Sequence, residues 1–126
     1  MFDASALLAF LGGEEGADEV EEALIDGGVV GAANWSEVAQ MVLQHRRDWD
    51  RVRALLLSYP LVLEPVTVED AEEAAVRWRK GSGLSLADRL CLALGDRLAA
   101  TVWTADTHWG SESPVRQIRY LPRNGT

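Results

Sequence analysis

Apolar positions along this chain fall into two kinds of run. The first is short and rich in β-branched or aromatic residues: "VVGAA" (29–33), "LVLEPV" (61–66), "TVWTA" (101–105) and "IRYL" (118–121). These predict strands. Between them, stretches with apolar residues spaced three and four apart predict amphipathic helices at 4–11, 15–26, 35–46, 48–58, 68–80 and 86–98. Gly27 and Gly81 stand where helices 15–26 and 68–80 need a C-terminal cap. Strands alternating with helices predict an α/β fold, a mostly parallel sheet covered on both faces. No internal repeat or linker interrupts the pattern, so residues 1–126 are expected to form one domain. In such sheets ligands bind beyond the carboxyl ends of the strands, and that directs attention to what lies there.

Four carboxylates do. Asp3 follows the stub Met1-Phe2, Glu37 falls in the first turn after "VVGAA", and Asp106 directly follows "TVWTA". Asp88 opens the helix of "SLADRL" without a preceding strand, so only helix packing could bring it to the same edge. Each acid also fits a purely structural role. Asn34-x-x-Glu37 and Ser85-x-x-Asp88 have the capping-box form, as does Thr67-x-x-Asp70, and Asp3 and Asp106 could cap a helix and a turn. No Lys or Arg stands within three residues of Asp3, Glu37 or Asp106; Arg89 adjoins Asp88. Two carboxylates brought to about 4 Å repel by roughly 4 kcal/mol at an effective dielectric near 20. A gathered set therefore takes up protons or holds cations, and an all-oxygen donor set selects Mg2+ or Mn2+ over zinc. His45 and His108 lie too far apart to suggest a zinc pair. Carboxylate-held Mg2+ suits phosphate oxygens, the chemistry of a metal-dependent nuclease or phosphatase.

Charge refines this picture. The formal net charge is -8, yet residues 1–45 hold nine acids and no Lys or Arg, leaving 20 - 9 = 11 acids against 12 bases in residues 46–126. Eleven of those bases are Arg, the better bidentate partner of phosphate. Candidate phosphate contacts are Arg46, Arg47, Arg51, Arg53, Arg77, Arg79, Lys80, Arg116, Arg119 and Arg123, with solvated helix faces paired to Asp48, Asp50 and Glu73 as the plainer account. Of the five Trp, Trp35 and Trp109 flank candidate acids and could stack bases or pack an interface, whereas Trp49, Trp78 and Trp103 read as packing residues. The lone Cys91, inside "LCLAL", excludes a disulfide framework and reads as a small core residue. No apolar run is long enough to cross a bilayer, and the first ten residues lack a signal peptide's basic flank, so a cytoplasmic location with no membrane partner is expected.

The blocks "FDASALLAFL", "NWSEV", "GLSLADRLCLALG" and "VWTAD", in that order along the whole chain, resemble the four acidic blocks of PIN-domain ribonucleases, and the short length resembles the VapC-type toxins of toxin–antitoxin pairs. The resemblance implies a PIN-like three-layer sandwich with a central sheet of about four or five strands. It implies an endoribonuclease dependent on Mg2+ or Mn2+, with Asp3, Glu37, Asp88 and Asp106 as metal-binding, catalytic acids. Ser5 and Thr104 match the family's supporting hydroxyls, and Asn34 its orienting amide; Arg46, Arg47, Arg79 and Lys80 remain the RNA-binding candidates. The partners implied are an RNA substrate, a cognate antitoxin and a second copy in a homodimer. Two departures stand out. Trp109 occupies the place where some relatives carry a further acid, with Glu112 too distant to replace it. Only Met1 and Phe2 precede Asp3, so either the first strand is shortened or the natural start lies upstream. Two rival readings are a phosphatase with Asp3 as nucleophile, which lacks the D-x-D-x-T pattern, and a non-catalytic binding module.

Overall fold

The structure is a computed structural model that describes residues 1–119. Its helices are α1 (Ala4–Gly12), α2 (Ala17–Asp26), α3 (Ala32–Gln44), α4 (Trp49–Leu57), α5 (Val68–Val76) and α6 (Leu86–Arg97). Its strands are β1 (Gly28–Gly31), β2 (Leu61–Glu64), β3 (Val102–Thr104) and β4 (Val115–Gln117). β1 pairs with β2 in parallel, Val29 opposite Val62, and β3 pairs with β4 in parallel, Trp103 opposite Arg116.

The first three residues join these two pairs. Phe2 N donates to Val29 O on one side (3.0 Å), while Asp3 N donates to Trp103 O (3.0 Å) and Trp103 N to Met1 O (2.8 Å) on the other. The layer thus runs β2, β1, Met1–Asp3, β3, β4, with both strand pairs parallel and the central segment making a single parallel bridge, Phe2 to Trp103. Phe2 anchors this segment: it is fully buried in a core with Leu7, Val20, Leu24, Val30, Val38 and Leu56. Gly28 is required beside it, since a Cβ there would sit 2.7 Å from Phe2 Cε2.

The α/β expectation holds, with local corrections. The run 29–33 is strand only as far as Gly31; Ala32 and Ala33, good helix formers, already belong to α3. α3 therefore starts before Asn34, and Asn34-x-x-Glu37 is not a capping box, because Gly31 is the cap. Gly27 ends α2 with φ 94° as expected. Gly81 does not end α5, which closes at Arg77 through a tight Trp78 N to Ala75 O turn (3.1 Å). The last strand is Val115–Gln117; Ile118 and Arg119 follow it, and Tyr120, Leu121 and Arg123 lie outside the described residues.

α6 lies against the sheet at a glycine. A Cβ on Gly95 would stand 2.7 Å from Val102 Cγ2, and Val102 is fully buried, so neither side can give way cheaply. In an open helix Gly→Ala stabilises by about 1 kcal/mol. Here Gly95→Ala is expected to lose about 1–3 kcal/mol through overpacking, measured by urea unfolding; unchanged or increased stability would show that the two elements are not in close contact.

Candidate metal centre

A parallel sheet places the carboxyl ends of its strands on one edge, and three of the four acids sit there. Asp3 ends the central segment, Asp106 follows β3, and Glu37 lies in the second turn of α3, directly after β1. The fourth, Asp88, arrives on the first turn of α6, as part of a complete capping box: Asp88 N donates to Ser85 Oγ (3.1 Å) and Ser85 N to Asp88 Oδ2 (3.0 Å). Asn34 links this helix to α3. It is buried, and its Nδ2 donates to Glu37 Oε1 (3.1 Å) and reaches Ala87 O (3.4 Å). One amide thus aligns Glu37 and ties the residue before Asp88 to it.

Asp3 is the buried member, 3% exposed. It caps α1 by accepting from Ala6 N at Oδ1 (2.8 Å). Ser5 Oγ lies 2.8 and 2.9 Å from its two oxygens, and Thr104 Oγ1 donates to Oδ2. Ser5 has one proton for two oxygens, which leaves acceptor capacity on the carboxylate. Both hydroxyls are themselves positioned from β3: Ala105 N donates to Ser5 Oγ (2.8 Å) and Asp106 N to Thr104 Oγ1 (3.0 Å). Asp106 accepts from His108 N (2.9 Å) and lies 2.9 Å from His108 Nδ1, at the head of a short 3-10 turn. Nothing in the sequence pattern marked Gln117, whose Nε2 donates to Asp106 O (2.9 Å) and Gly110 O (3.2 Å) and holds this turn to β4.

Asp88 acts through space on both Asp3 and Glu37. Burial raises Asp3's pKa to about 6, against the opposing pull of Thr104, Ala6 and Ser5, and the charge of Asp88 raises it further. Glu37 is raised by burial, countered by Asn34, and again raised by Asp88. Cys91 has its thiol pushed well up by burial and then by Asp3, Asp88 and Glu37 together, which makes it a buried packing residue rather than a nucleophile. Neither Asp3 nor Glu37 forms an ion pair among the described residues.

The capping box of α5 shows what a structural acid looks like in the same fold. Asp70 occupies the position in Thr67-x-x-Asp70 that Asp88 occupies in Ser85-x-x-Asp88. Asp70 is buried and receives two bonds from Arg97, Nε at 2.8 Å and Nη2 at 3.0 Å, and that guanidinium holds its carboxyl below the usual range. Arg89, adjacent to Asp88 in sequence, instead turns its Nη1 to Ala74 O (2.8 Å) on α5. Local motif is identical in the two boxes; charge compensation is not.

The four acids do not form a ready-made cage. Among the described residues no group of three His, Cys, Asp or Glu converges closely enough to hold an ion. The donor chemistry nevertheless fits a hard divalent cation: carboxylate oxygens, Asp88 acting through space on Asp3 and Glu37, acceptor capacity on Asp3, and no ion pair to Asp3, Glu37 or Asp88 among the described residues.

Other candidates separate. Arg77 lies 3.5 Å from both Glu73 and Asp96, Arg119 pairs with Glu14 (2.7 Å), and Arg116 lies 5.3 Å over the Trp103 ring and 3.9 Å from Glu19, so these serve the fold. Arg46, Arg47, Arg51, Arg53, Arg79 and Lys80 are exposed. Trp35 packs edge-on against Trp49 at 5.3 Å beside the core, and Trp109 packs on Met1, Cys91, Leu94 and Val102. Trp109, at the position where some relatives carry a further acid, therefore fills a packing role. Trp78, expected to pack, is 57% exposed.

A family model for the PIN domain matches residues 1–111. No curated protein matches the sequence significantly. Among solved structures, a chain of a toxin-antitoxin complex from Klebsiella pneumoniae is similar in fold, with a TM-score of 0.77 and 20% identity over 95% of this chain and 98% of that chain. Ordered blocks, parallel sheet and matched family model agree, and the chain belongs to the PIN-domain family.

Proposed function

We propose that this chain is a single-domain endoribonuclease that hydrolyses RNA phosphodiester bonds with Mg2+ or Mn2+, and is the toxin of a toxin–antitoxin pair. The observation that carries the reading is the unpaired charge at the sheet's edge: a buried Asp3 and a half-buried Glu37, each raised by the charge of Asp88, with no ion pair to Asp3 or Glu37 among the described residues. Membership of the PIN family and the fold shared with a chain of a toxin-antitoxin complex support it. No described helix is long and apolar enough to cross a membrane. A cytoplasmic setting, a homodimer and an antitoxin that covers the acidic edge belong to the same proposal.

Asp3, Glu37, Asp88 and Asp106 would hold the metal, which when bound supplies a hydroxide at neutral pH and neutralises charge on the phosphoryl group. The chain's own contribution is placement. Ser5 and Thr104 fix the Asp3 carboxylate while leaving it negative, since neutral donors orient without cancelling charge. Asn34 fixes Glu37, and the Ser85 box fixes Asp88. Arg46, Arg47, Arg79 and Lys80 are available to the RNA backbone.

A non-catalytic binding module remains the second reading, and the lack of a three-acid cage among the described residues favours it. A phosphatase using Asp3 finds no support in the geometry, because Ser5 stands at the position of the second Asp in D-x-D-x-T and is bonded to Asp3 itself.

Asp3→Asn and Asp88→Asn are expected to lose RNA cleavage by roughly 10²-fold or more, read on total RNA with Mg2+ or Mn2+ beside the parent chain. Cleavage equal in all three would mean a contaminant and leave the binding module standing.

Metal and proton compete for Asp3, and the sign follows. Its folded pKa, about 6, lies above the ordinary 3.8, so its contribution to stability is full below that ordinary value and is lost as pH rises through about 6. The loss amounts to about 3 kcal/mol at 1.36 kcal/mol per unit. Without divalent ion the protein should therefore become less stable between pH 4 and 7, and Mg2+ should raise Tm more at pH 7.5 than at pH 5. Asp3→Asn keeps an acceptor for Ala6 N and should abolish both effects in thermal unfolding scans. A Tm indifferent to Mg2+ at both pH values would rule out Asp3 as a ligand.

A further inference from the structure

The loop between α5 and α6, residues 77–85, carries features that neither the core nor the acid set uses. Trp78 is 57% exposed, and Val76 and Leu86 on either side of the loop are 65% and 58% exposed. From Ala74 to Ala87 there is no acid, although the chain is net -8, and three bases, Arg77, Arg79 and Lys80, lie in that span. Arg77 is engaged by Glu73 and Asp96 at 3.5 Å. Arg79 turns Nη1 onto Val76 O and Trp78 O, both at 2.9 Å, which stiffens the backbone under Trp78 and leaves its other guanidinium nitrogens outward. Lys80 makes no ion pair among the described residues.

This loop is fastened at both ends to α6, the helix that carries Asp88. Arg89 Nη1 donates to Ala74 O (2.8 Å) where the loop departs from α5. The reciprocal bonds between Ser85 and Asp88 hold it where it enters α6. Within it, Gly81 and Gly83 adopt φ 78° and 74° with nothing within 4 Å of either Cβ position, so backbone conformation alone asks for glycine there. An exposed indole at a loop rooted beside Asp88, with two cations next to it and no acid, matches single-stranded nucleic acid: bases stack on the ring while phosphates meet the bases Arg79 and Lys80. Association with an apolar protein surface would not ask for the acid-free, basic span.

We propose that Trp78 stacks an unpaired base of the RNA substrate, with Arg79 and Lys80 on the adjoining phosphates. The claim rests on the ribonuclease reading and adds a preference that reading does not contain: substrates are engaged through an unpaired nucleotide. The experiment uses a labelled, unstructured twelve-nucleotide RNA and the full chain carrying Asp3→Asn to suppress cleavage. Trp78→Ala should weaken binding about ten- to hundred-fold while leaving Tm unchanged, and Trp78→Phe should restore most of it. In the cleaving chain, with Asp3 intact, the same substitution should raise KM more than it lowers kcat. Pairing the RNA with its complement should remove the difference between Trp78 and Ala. Lys80→Ala should reduce the slope of log affinity against log salt by about 0.7. If the parent cleaves RNA and Trp78→Ala binds as tightly, with or without a change in oligomeric state, the stacking role is wrong and the nuclease reading survives. If the parent neither binds nor cleaves RNA, both fall.

Discussion

The arrangement depends on a carboxylate that the protein buries and does not neutralise. Asp3 is 3% exposed at the end of a segment only three residues long, in the middle of the sheet. Burying an ion in this way is costly unless a partner of opposite charge repays it. The partners here are an amide and two hydroxyls, from Ala6, Ser5 and Thr104. Such donors reduce the cost and fix direction, but the raised pKa shows that burial still prevails. They also stitch the sheet together: Ser5 and Thr104 are held in turn by the amides of Ala105 and Asp106. The same hydrogen bonds that complete a very short central strand aim its terminal acid.

Two helices in this chain begin with the same four-residue device and use it differently. In α5 the box acid, Asp70, is covered by Arg97. In α6 the box acid, Asp88, keeps its charge in reach of Asp3 and Glu37, while its neighbour Arg89 is drawn away to the backbone of α5. Capping and ligation are thus not competing explanations for Asp88. A cap uses one carboxylate oxygen and holds the side chain in a single direction, which is what a ligand needs before an ion arrives. The distinction between a structural and a functional acid lies in where the nearest guanidinium goes.

That distinction marks the limit of what the sequence made legible. Periodicity and strand composition located six helices and three of four strands, because burial on one face leaves a repeat that local reading detects. It misplaced the last strand, since "VRQ" carries one β-branched residue and is strand only through its register with Val102–Thr104. Its alternative of Asn34 as a cap fails, because the helix begins two residues earlier. The four acids could be named from their positions after strands and at helix starts, and the family resemblance placed them in order. Their mutual coupling could not, because it is carried by Asn34 reaching Ala87 across 53 positions and by α6 packing on β3 at Gly95. Trp78 was misread for a related reason: a tryptophan at the end of an amphipathic stretch looks buried until the helix is seen to stop at Val76.

The charge asymmetry of the chain follows from the same geometry. An edge that holds several acids repels an RNA backbone, so phosphate must approach from a direction that the acids do not dominate. Under the proposed function the acid-free span 74–87, which leads up to Asp88, would supply that direction, while most of the N-terminal acids sit on α2, on the part of the chain that packs against α1 and meets Arg116 and Arg119 of the sheet's last strand and its continuation. The net charge of -8 is therefore a poor guide to the partner; what matters is the sign of the potential along the path to the site. A chain that is acidic overall can still engage RNA if its negative groups are either spent on its own arginines or directed at a cation; Asp70 and Glu14 do the first, and under the proposed function Asp3 and Glu37 would do the second.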